Sequence, residues 1–172
     1  MKSALYQGQY LYQRKENLMV KKILFTASLF AGLLLTGCAS VPLDSDEASR
    51  SAKAFNAPDE GKAGLYIYRK GGPGPQLKKD IWVDGNCVGE SAPKVFFYKQ
   101  VDGGQQHKIS TESEFSPNHL QVFTEPGKNY FIKQYIKIGI FVGGANLMLM
   151  SEDEGMQDVA RLNKAVSGRC SR

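Results

Sequence analysis

The sequence predicts a mainly β fold, an antiparallel β-sandwich of seven or eight strands with one C-terminal α-helix. Short runs rich in Tyr, Ile, Val and Phe follow one another between Gly64 and Met150, and such residues favour strands. Gly, Pro, Asp and Asn separate the runs at the spacing of about 8–12 residues that is typical of sandwiches. No helical pattern appears between the runs, which argues against the alternating strands and helices of a parallel sheet.

Each predicted strand lies between turn residues. The Asp84-Gly85-Asn86 sequence is a hairpin-turn signal and divides the second run into two strands. A Pro-Gly turn at residues 125–128 likewise separates two strands within residues 120–139. The predicted runs cover residues 64–70, 80–90, 94–101, 106–111, 120–139 and 145–150.

The strand predicted over residues 130–138 indicates which sheet face is buried. Side chains alternate between the two faces of a strand. The even positions, which should face the core, are Tyr130, Ile132, Gln134, Ile136 and Ile138. The odd positions, which should be half exposed, are Phe131, Lys133, Tyr135 and Lys137. Two interpretations of the odd face stay open: an ordinary exposed sheet surface with lysine stems lying along aromatic rings, or a binding patch.

The last part of the chain predicts a helix from about Glu152 to Ser167. Ser151 followed three residues later by Glu154 forms a capping box, and acidic residues are favourable in a first helical turn. Apolar residues then recur at helical spacing up to a stop at Gly168. The acidic residues 152–154 also resemble a metal site, but helix capping accounts for all of them, so we predict no metal.

The N-terminal part carries an apolar run over residues 23–35 that ends near Cys38. A transmembrane helix needs about 20 apolar residues, so this run is too short to span a bilayer. Lys21 and Lys22 precede it and small residues follow it, which is the order of a secretory signal. The sequence Leu-Thr-Gly-Cys ending at Cys38 resembles the lipobox of bacterial lipoproteins, in which the signal is removed and the cysteine is acylated. The alternative is an ordinary signal peptide whose cysteine is incidental.

This resemblance predicts a signal peptide over residues 1–37, with translation starting at Met19, and lipidation of Cys38. Cleavage leaves 135 of the 172 residues and removes most of the basic excess, so the formal net charge falls from +5 to +1. A nucleic-acid partner is therefore not expected. Ala39 and Ser40 after the cysteine resemble the sorting signal for the inner leaflet of the outer membrane, facing the periplasm. The polar residues 38–61 predict a flexible tether.

Two cysteines remain after the anchor, Cys87 and Cys170. An even pair in an exported protein predicts a disulfide, which would attach the C-terminal tail to the hairpin at Asp84. A redox-active pair is the alternative, but the chain has no Cys-x-x-Cys sequence.

No catalytic motif is recognisable in the chain. The two histidines, His107 and His119, lie in different predicted segments, and no nucleophile elbow, zinc-protease motif or nucleotide-binding loop is present. Residues 71–75, Gly-Gly-Pro-Gly-Pro, hold two prolines without N–H donors and are best explained as a flexible connection rather than a phosphate site. We predict no catalytic residues and no cofactor.

The strand motifs together resemble a family of small proteobacterial lipoproteins built on one domain of unknown function. The motifs are "LYIYRK", "WVDGNCVGE", "GGQQHKIST" and "EPGKNYFIKQYIKIGIFVGG", and the Val-Asp-Gly hairpin with the Pro-Gly turn is also similar to transthyretin-like and PEGA-type sandwiches. The resemblance implies a membrane-anchored, non-catalytic binding or structural module of the envelope, with another envelope protein as its partner. The alternative is a hydrolase or redox enzyme whose site is scattered in sequence.

Overall fold

The computed structural model describes residues 39–113, 116–137 and 143–171. All of them belong to one compact unit, Cys38–Arg172. The predicted signal peptide and the predicted lipidation residue Cys38 lie outside the described residues, and so does Ile138. Along the described residues the chain forms helices α1 (Asp46–Ala52) and α2 (Glu152–Val159) and strands β1 (Lys62–Arg69), β2 (Lys79–Val83), β3 (Asn86–Ser91), β4 (Val95–Asp102), β5 (Gln105–Thr111), β6 (Asn118–Thr124), β7 (Asn129–Lys137), β8 (Gly144–Met150) and β9 (Asn163–Lys164).

The strands form two sheets, which confirms the predicted β-sandwich with a C-terminal helix. One sheet has the order β8-β7-β1-β4-β9 and the other β3-β2-β5-β6. Most neighbouring strands are antiparallel, but β1 pairs with β7 in parallel and so does β4 with β9. Both parallel pairs join strands that are distant in sequence.

The core between the sheets is mainly apolar and is built from alternate residues of both layers, with the buried Gln134 amide donating across it to the Thr111 hydroxyl at 2.7 Å. It includes Leu65, Ile67, Ile81, Val83, Phe97, Ile109, Val122 and Ile132. Strand β1 is buried on both faces. Its outward residues Tyr66 and Tyr68 belong to a second cluster, which α1, α2 and the residues between α2 and β9 help to cover. A strand buried on both faces reads as a continuous apolar run, which explains the "GLYIY" sequence of β1.

The prediction of a flexible tether over residues 38–61 is wrong for its described part. Ser45 caps α1 by accepting a hydrogen bond from the Ala48 N–H, and the Tyr66 hydroxyl donates to the Ala52 carbonyl at 2.7 Å. Asp44 pairs with Lys164 at 2.5 Å. A helix of seven residues is unstable alone in water, so α1 is stabilised by its packing on the sheet. The polar sequence of the segment gives no sign of this packing.

The C-terminal helix begins where it was predicted but ends earlier. The Ser151 side chain accepts a hydrogen bond from the Glu154 N–H, as a capping residue does. Helix α2 ends at Val159 rather than at Ser167, and the following residues pair with β4. The Ala165 N–H donates to the Phe96 carbonyl at 2.8 Å. This tertiary strand pairing replaces the helical hydrogen bonds that the local sequence pattern favours.

The predicted disulfide is confirmed: Cys87 at the start of β3 pairs with Cys170 in the C-terminal tail. Their Cα atoms are 6.0 Å apart and the two residues are separated by 83 positions in sequence. The tail is held by further bonds, including the Gly168 N–H to the Val88 carbonyl at 2.8 Å. The disulfide therefore attaches the end of the chain to the outer side of the four-stranded sheet.

Candidate functional site

The structure separates the four residues of the predicted patch. Phe131 is buried, with 1% of its surface exposed, because α2 and the residues after α1 cover this part of β7. Its ring stacks on Tyr66 with centroids 4.9 Å apart and meets Phe55 edge-on at 5.8 Å. The expectation that Phe131 lies on a half-exposed face is therefore wrong, since an element distant in sequence covers it.

The other three patch residues lie on an exposed face that β8 completes. Register pairs Lys133 with Met148, Tyr135 with Asn146 and Lys137 with Gly144. Tyr135 is 36% exposed and Met148 is 43% exposed, and the Asn146 amide donates to the Tyr135 hydroxyl at 3.1 Å. We call this surface the β7–β8 face and define it by Lys133, Tyr135, Lys137, Asn146 and Met148.

The length of α2 explains why this face is open. A helix of eight residues spans about 12 Å, whereas a strand of nine residues spans about 30 Å. Gly155 of α2 lies directly over Phe131, in the first part of β7. The end of the helix is fixed by Asp158, which accepts from Lys70 at 2.7 Å and from the Tyr68 hydroxyl at 3.0 Å. Burial alone would raise the pKa of Asp158, but these two hydrogen bonds lower it.

The edge of β8 is partly closed against strand addition. The Ala145 N–H donates to the Glu112 carbonyl at 3.0 Å, and the Ala145 carbonyl accepts from Asn118 at 2.6 Å. The Leu147 N–H donates to the side chain of Asn146 at 2.9 Å. These bonds occupy the outward groups at the start of the strand, so the broad face is better suited to contact a partner than the edge is.

The two histidines do not form a catalytic arrangement. His107 is buried, and its Nδ1 lies 2.6 Å from Asp84 while its Nε2 donates to the Asp102 carbonyl at 2.8 Å. With both nitrogens engaged, His107 has no atom available to move a substrate proton. His119 is exposed and contacts the Ser110 hydroxyl at 2.8 Å.

Two cavities flank the N-terminal segment, and neither is lined by a histidine. One of about 340 Å³ lies between α1 and the sheet, next to Tyr66, Tyr98 and Lys164. Another of about 410 Å³ is lined by Val41, Pro42, Glu90, Val166 and Arg169. Within residues 39–113, 116–137 and 143–171, no three His, Cys, Asp or Glu side chains are grouped to hold a metal ion. Among the same residues, no helix has the length and hydropathy needed to span a membrane.

Sequence reasoning missed the structural role of Arg69. Its buried guanidinium donates to the carbonyls of Gly74 and Leu77, each at 2.6 Å, and burial lowers the pKa of the group. The Pro75 carbonyl accepts from the Ala39 N–H at 2.9 Å. The Gly-Pro connection after β1 is therefore tied down rather than flexible. Nothing in the local sequence distinguishes this arginine from an exposed one.

Comparisons with known proteins place the chain in a family. The model of the family described as "Protein of unknown function (DUF2846)" matches residues 59–145, about half of the chain. An uncharacterized protein from Haemophilus influenzae is 54% identical over 149 residues, which cover 86% of this chain and 88% of the relative. No solved structure matches the chain significantly. The chain belongs to the DUF2846 family of proteins of unknown function.

Proposed function

We propose that this protein is a lipoprotein anchored through Cys38 in the inner leaflet of the outer membrane. Its sandwich faces the periplasm as a non-catalytic binding module for another envelope protein. The observation that carries the proposal is the position of the compact unit, which begins at Cys38. This is the residue that becomes the acylated N-terminus if the lipobox-like sequence is processed. A cleavage site is expected to lie at a boundary of folded structure.

The cysteine pairing supports the same proposal. The chain has three cysteines, and Cys87 and Cys170 are joined to each other, so acylation of Cys38 removes no disulfide partner. A structural disulfide fits an oxidising compartment such as the periplasm. Each buried CH₂ of an acyl chain contributes about 0.8 kcal/mol, and two or more chains give stable anchoring.

The binding role rests on the β7–β8 face. Aromatic residues and methionine are enriched at protein interfaces, and polar groups commonly form their rim. Tyr135 and Met148 are such central residues, and Lys133, Lys137 and Asn146 surround them. Because the Tyr135 hydroxyl is already oriented by Asn146, little side-chain freedom has to be lost when a partner binds.

We further propose a transthyretin-like relationship for the sandwich. The first eight strands support it by forming two layers, β4-β1-β7-β8 and β3-β2-β5-β6. The turn at Asp84 and Gly85, where both residues have positive φ, is the two-residue hairpin that the Val-Asp-Gly sequence favours.

One experiment in a bacterial host that processes lipoproteins tests anchor and docking together. The full chain is expressed with a photo-crosslinking phenylalanine analogue in place of Tyr135, and cells are labelled with palmitate. We expect palmitate on the product, none after Cys38→Ser, and one discrete protein adduct after irradiation.

The matched control places the same crosslinker at Phe123, which is 59% exposed on the outer side of β6. Met148→Asp in the Tyr135 crosslinking variant should abolish the adduct, because it puts a charge in the centre of the face. Equal adducts from both positions would eliminate the β7–β8 face as the docking site. Equal palmitate labelling of the wild type and Cys38→Ser would eliminate the anchor.

A further inference from the structure

The N-terminal segment of the compact unit is fixed to one end of the sandwich. The Ala39 N–H donates to the Pro75 carbonyl at 2.9 Å, and the Pro42 carbonyl accepts from the Val166 N–H at 3.0 Å. Leu43 forms an isolated β-bridge with Ala165. Ala39, the first described residue, is therefore held at the Pro75 loop with no free segment between it and the sandwich. Cys38 is bonded to Ala39 and consecutive Cα atoms are about 3.8 Å apart, so an acyl group on Cys38 would be attached within one residue of this loop.

The Pro75 loop shares its end of the sandwich with the start of β4 and the end of β7. The Lys94 N–H donates to the Arg69 carbonyl at 2.9 Å. A Cβ atom at Gly74 would lie 3.2 Å from a methyl carbon of Ile136, the residue before Lys137. We call this region the anchor end and define it by residues 71–79 with Lys94 and Lys137.

The two ends of the sandwich differ in the charges that no ion pair neutralises. At the anchor end, Lys78 pairs with Glu90 at 3.1 Å, whereas Lys79, Lys94 and Lys137 form no ion pair with any described residue. Of the carboxylates at the anchor end, Glu90 is the partner of Lys78 and Glu112 accepts from the Asp80 N–H at 3.2 Å. At the opposite end, Asp84, Asp102 and Glu125 pair with His107, Lys62 and Lys128. The exposed Asp59 and Glu60 at that end form no ion pair with a described residue. A molecule charged in this way orients its basic end toward an anionic surface.

We propose that the anchor end binds the phospholipid headgroups of the membrane, with residues 71–77 in the headgroup layer and Lys79, Lys94 and Lys137 on lipid phosphates. This inference rests on the proposed acylation of Cys38. The headgroup layer on each side of a bilayer is about 5–7 Å thick. Ala39 follows the proposed acylated cysteine directly, so Pro75, which accepts a hydrogen bond from Ala39, cannot lie far outside this layer. Arg69 holds the loop in place through the carbonyls of Gly74 and Leu77, so the conformation of the loop is already fixed when it contacts the membrane. The β7–β8 face shares Lys137 with this end, and its other residues, Lys133, Tyr135, Asn146 and Met148, stay open to a protein partner.

The test uses two exposed glutamines at opposite ends of the sandwich, Gln76 and Gln105. Each is replaced, in the full chain, by a photo-crosslinking amino acid in cells grown with radiolabelled phosphate. The acyl groups of a processed lipoprotein contain no phosphate, so label on the protein reports a crosslinked phospholipid. We expect label at position 76 and little at position 105.

The outcomes separate this inference from the proposed function. Palmitate on the protein with equal phosphate label at positions 76 and 105, or with a protein adduct instead at position 76, would overturn the headgroup contact and leave the anchor standing. Absence of palmitate would overturn both. Label at position 76 in a palmitoylated protein would support both.

A charge series tests the role of the lysines. Each lysine near an anionic surface strengthens attachment about fivefold. Lys79→Gln, Lys94→Gln and Lys137→Gln together should therefore reduce the lipid label at position 76 by more than the roughly fivefold effect of one lysine. The control, Lys108→Gln with Lys128→Gln, changes exposed lysines of strand β5 and of the β6–β7 turn and should leave the label unchanged. Equal label in both variants would overturn the contact of lysines with lipid phosphates.

Discussion

At the scale of single residues, the Asp84 carboxylate in the β2–β3 turn and the His107 imidazole form an ion pair that stabilises the protonated ring. Both contacts of the imidazole are to acceptors, the Asp84 carboxylate and the Asp102 carbonyl, and only the protonated ring donates from both nitrogens. Burial alone would lower the pKa of His107, but these hydrogen bonds raise it. Burial alone would raise the pKa of Asp84, but the bonds from His107 and the Lys108 N–H lower it.

Stability should therefore depend on pH through this pair. The contribution of His107 is complete below its ordinary pKa of 6.5 and is lost as pH rises through the raised value. The contribution of Asp84 is complete above 3.8 and is lost as pH falls through the lowered value. Between pH 3.8 and pH 6.5 we expect Asp84→Asn to lower the free energy of unfolding, measured in urea, by about 1 kcal/mol. The cost should be smaller below the lowered pKa of Asp84, where the carboxylate is protonated, and above the raised pKa of His107, where the imidazole is neutral.

Asp59→Asn is the matched control for Asp84→Asn, because Asp59 is exposed and no described ion pair involves it. The control should show no corresponding maximum. A cost for Asp84→Asn that stays constant from pH 5 to pH 9 would contradict the assigned role of His107.

At the scale of elements, the contact of α2 with β7 depends on the absence of a side chain at Gly155. A Cβ atom there would overlap the Cβ and the ring of Phe131. Gly155 is buried in the helix, so the helix approaches the sheet at its backbone. This close approach is what covers Phe131 and leaves Tyr135 and Met148 open further along the sheet.

Gly155→Ala should lower the free energy of unfolding although alanine favours helices. Overpacking costs about 1–3 kcal/mol, and an overlap this close to a buried ring belongs in the upper part of that range, about 2–3 kcal/mol. The gain in helix propensity is about 1 kcal/mol, so the expected net loss is about 1–2 kcal/mol. Gln157→Ala, at an exposed position of the same helix, should change the free energy by less than about 0.5 kcal/mol. A Gly155→Ala protein as stable as the wild type in urea unfolding would refute this description of the contact.

At the scale of the whole molecule, the Cys87–Cys170 disulfide ties the end of the chain to the four-stranded sheet. Asp80, which is fully buried, accepts hydrogen bonds from the Ser171 N–H at 2.8 Å and from the Ser171 hydroxyl at 2.7 Å. The tail thus covers a buried carboxylate as well as closing a long loop. Loss of the disulfide should therefore open this loop and weaken the contact of Ser171 with Asp80.

Replacing both cysteines by alanine should reduce the free energy of unfolding by up to about 4–5 kcal/mol, as expected for a loop of this length. Urea unfolding of the wild type with and without reductant measures the same quantity. The double variant serves as the control, because reductant should not affect it. If reductant destabilises both proteins equally, the disulfide is not the cause.

Local sequence patterns predicted the strands because a strand's alternation and its turn residues are set within a few neighbours. The Pro-Gly turn between β6 and β7 and the capping of α2 by Ser151 are examples. The disulfide followed from counting cysteines in an exported chain. The candidate face was predicted in part. The alternation in β7 correctly placed Ile132 and Tyr135 on opposite faces of the sheet, but it gave no information on which residues of the outer face another element covers.

The sequence by itself determined the sandwich class, the disulfide pair and the outward direction of Tyr135 and Lys137, because these depend on composition and short-range periodicity. Only the tertiary structure decided that residues 46–52 form a packed helix, that residues 163–164 leave α2 to pair with β4, and that Phe131 is buried. These features arise from contacts between segments distant in sequence, where burial of apolar surface outweighs the preference of each segment taken alone.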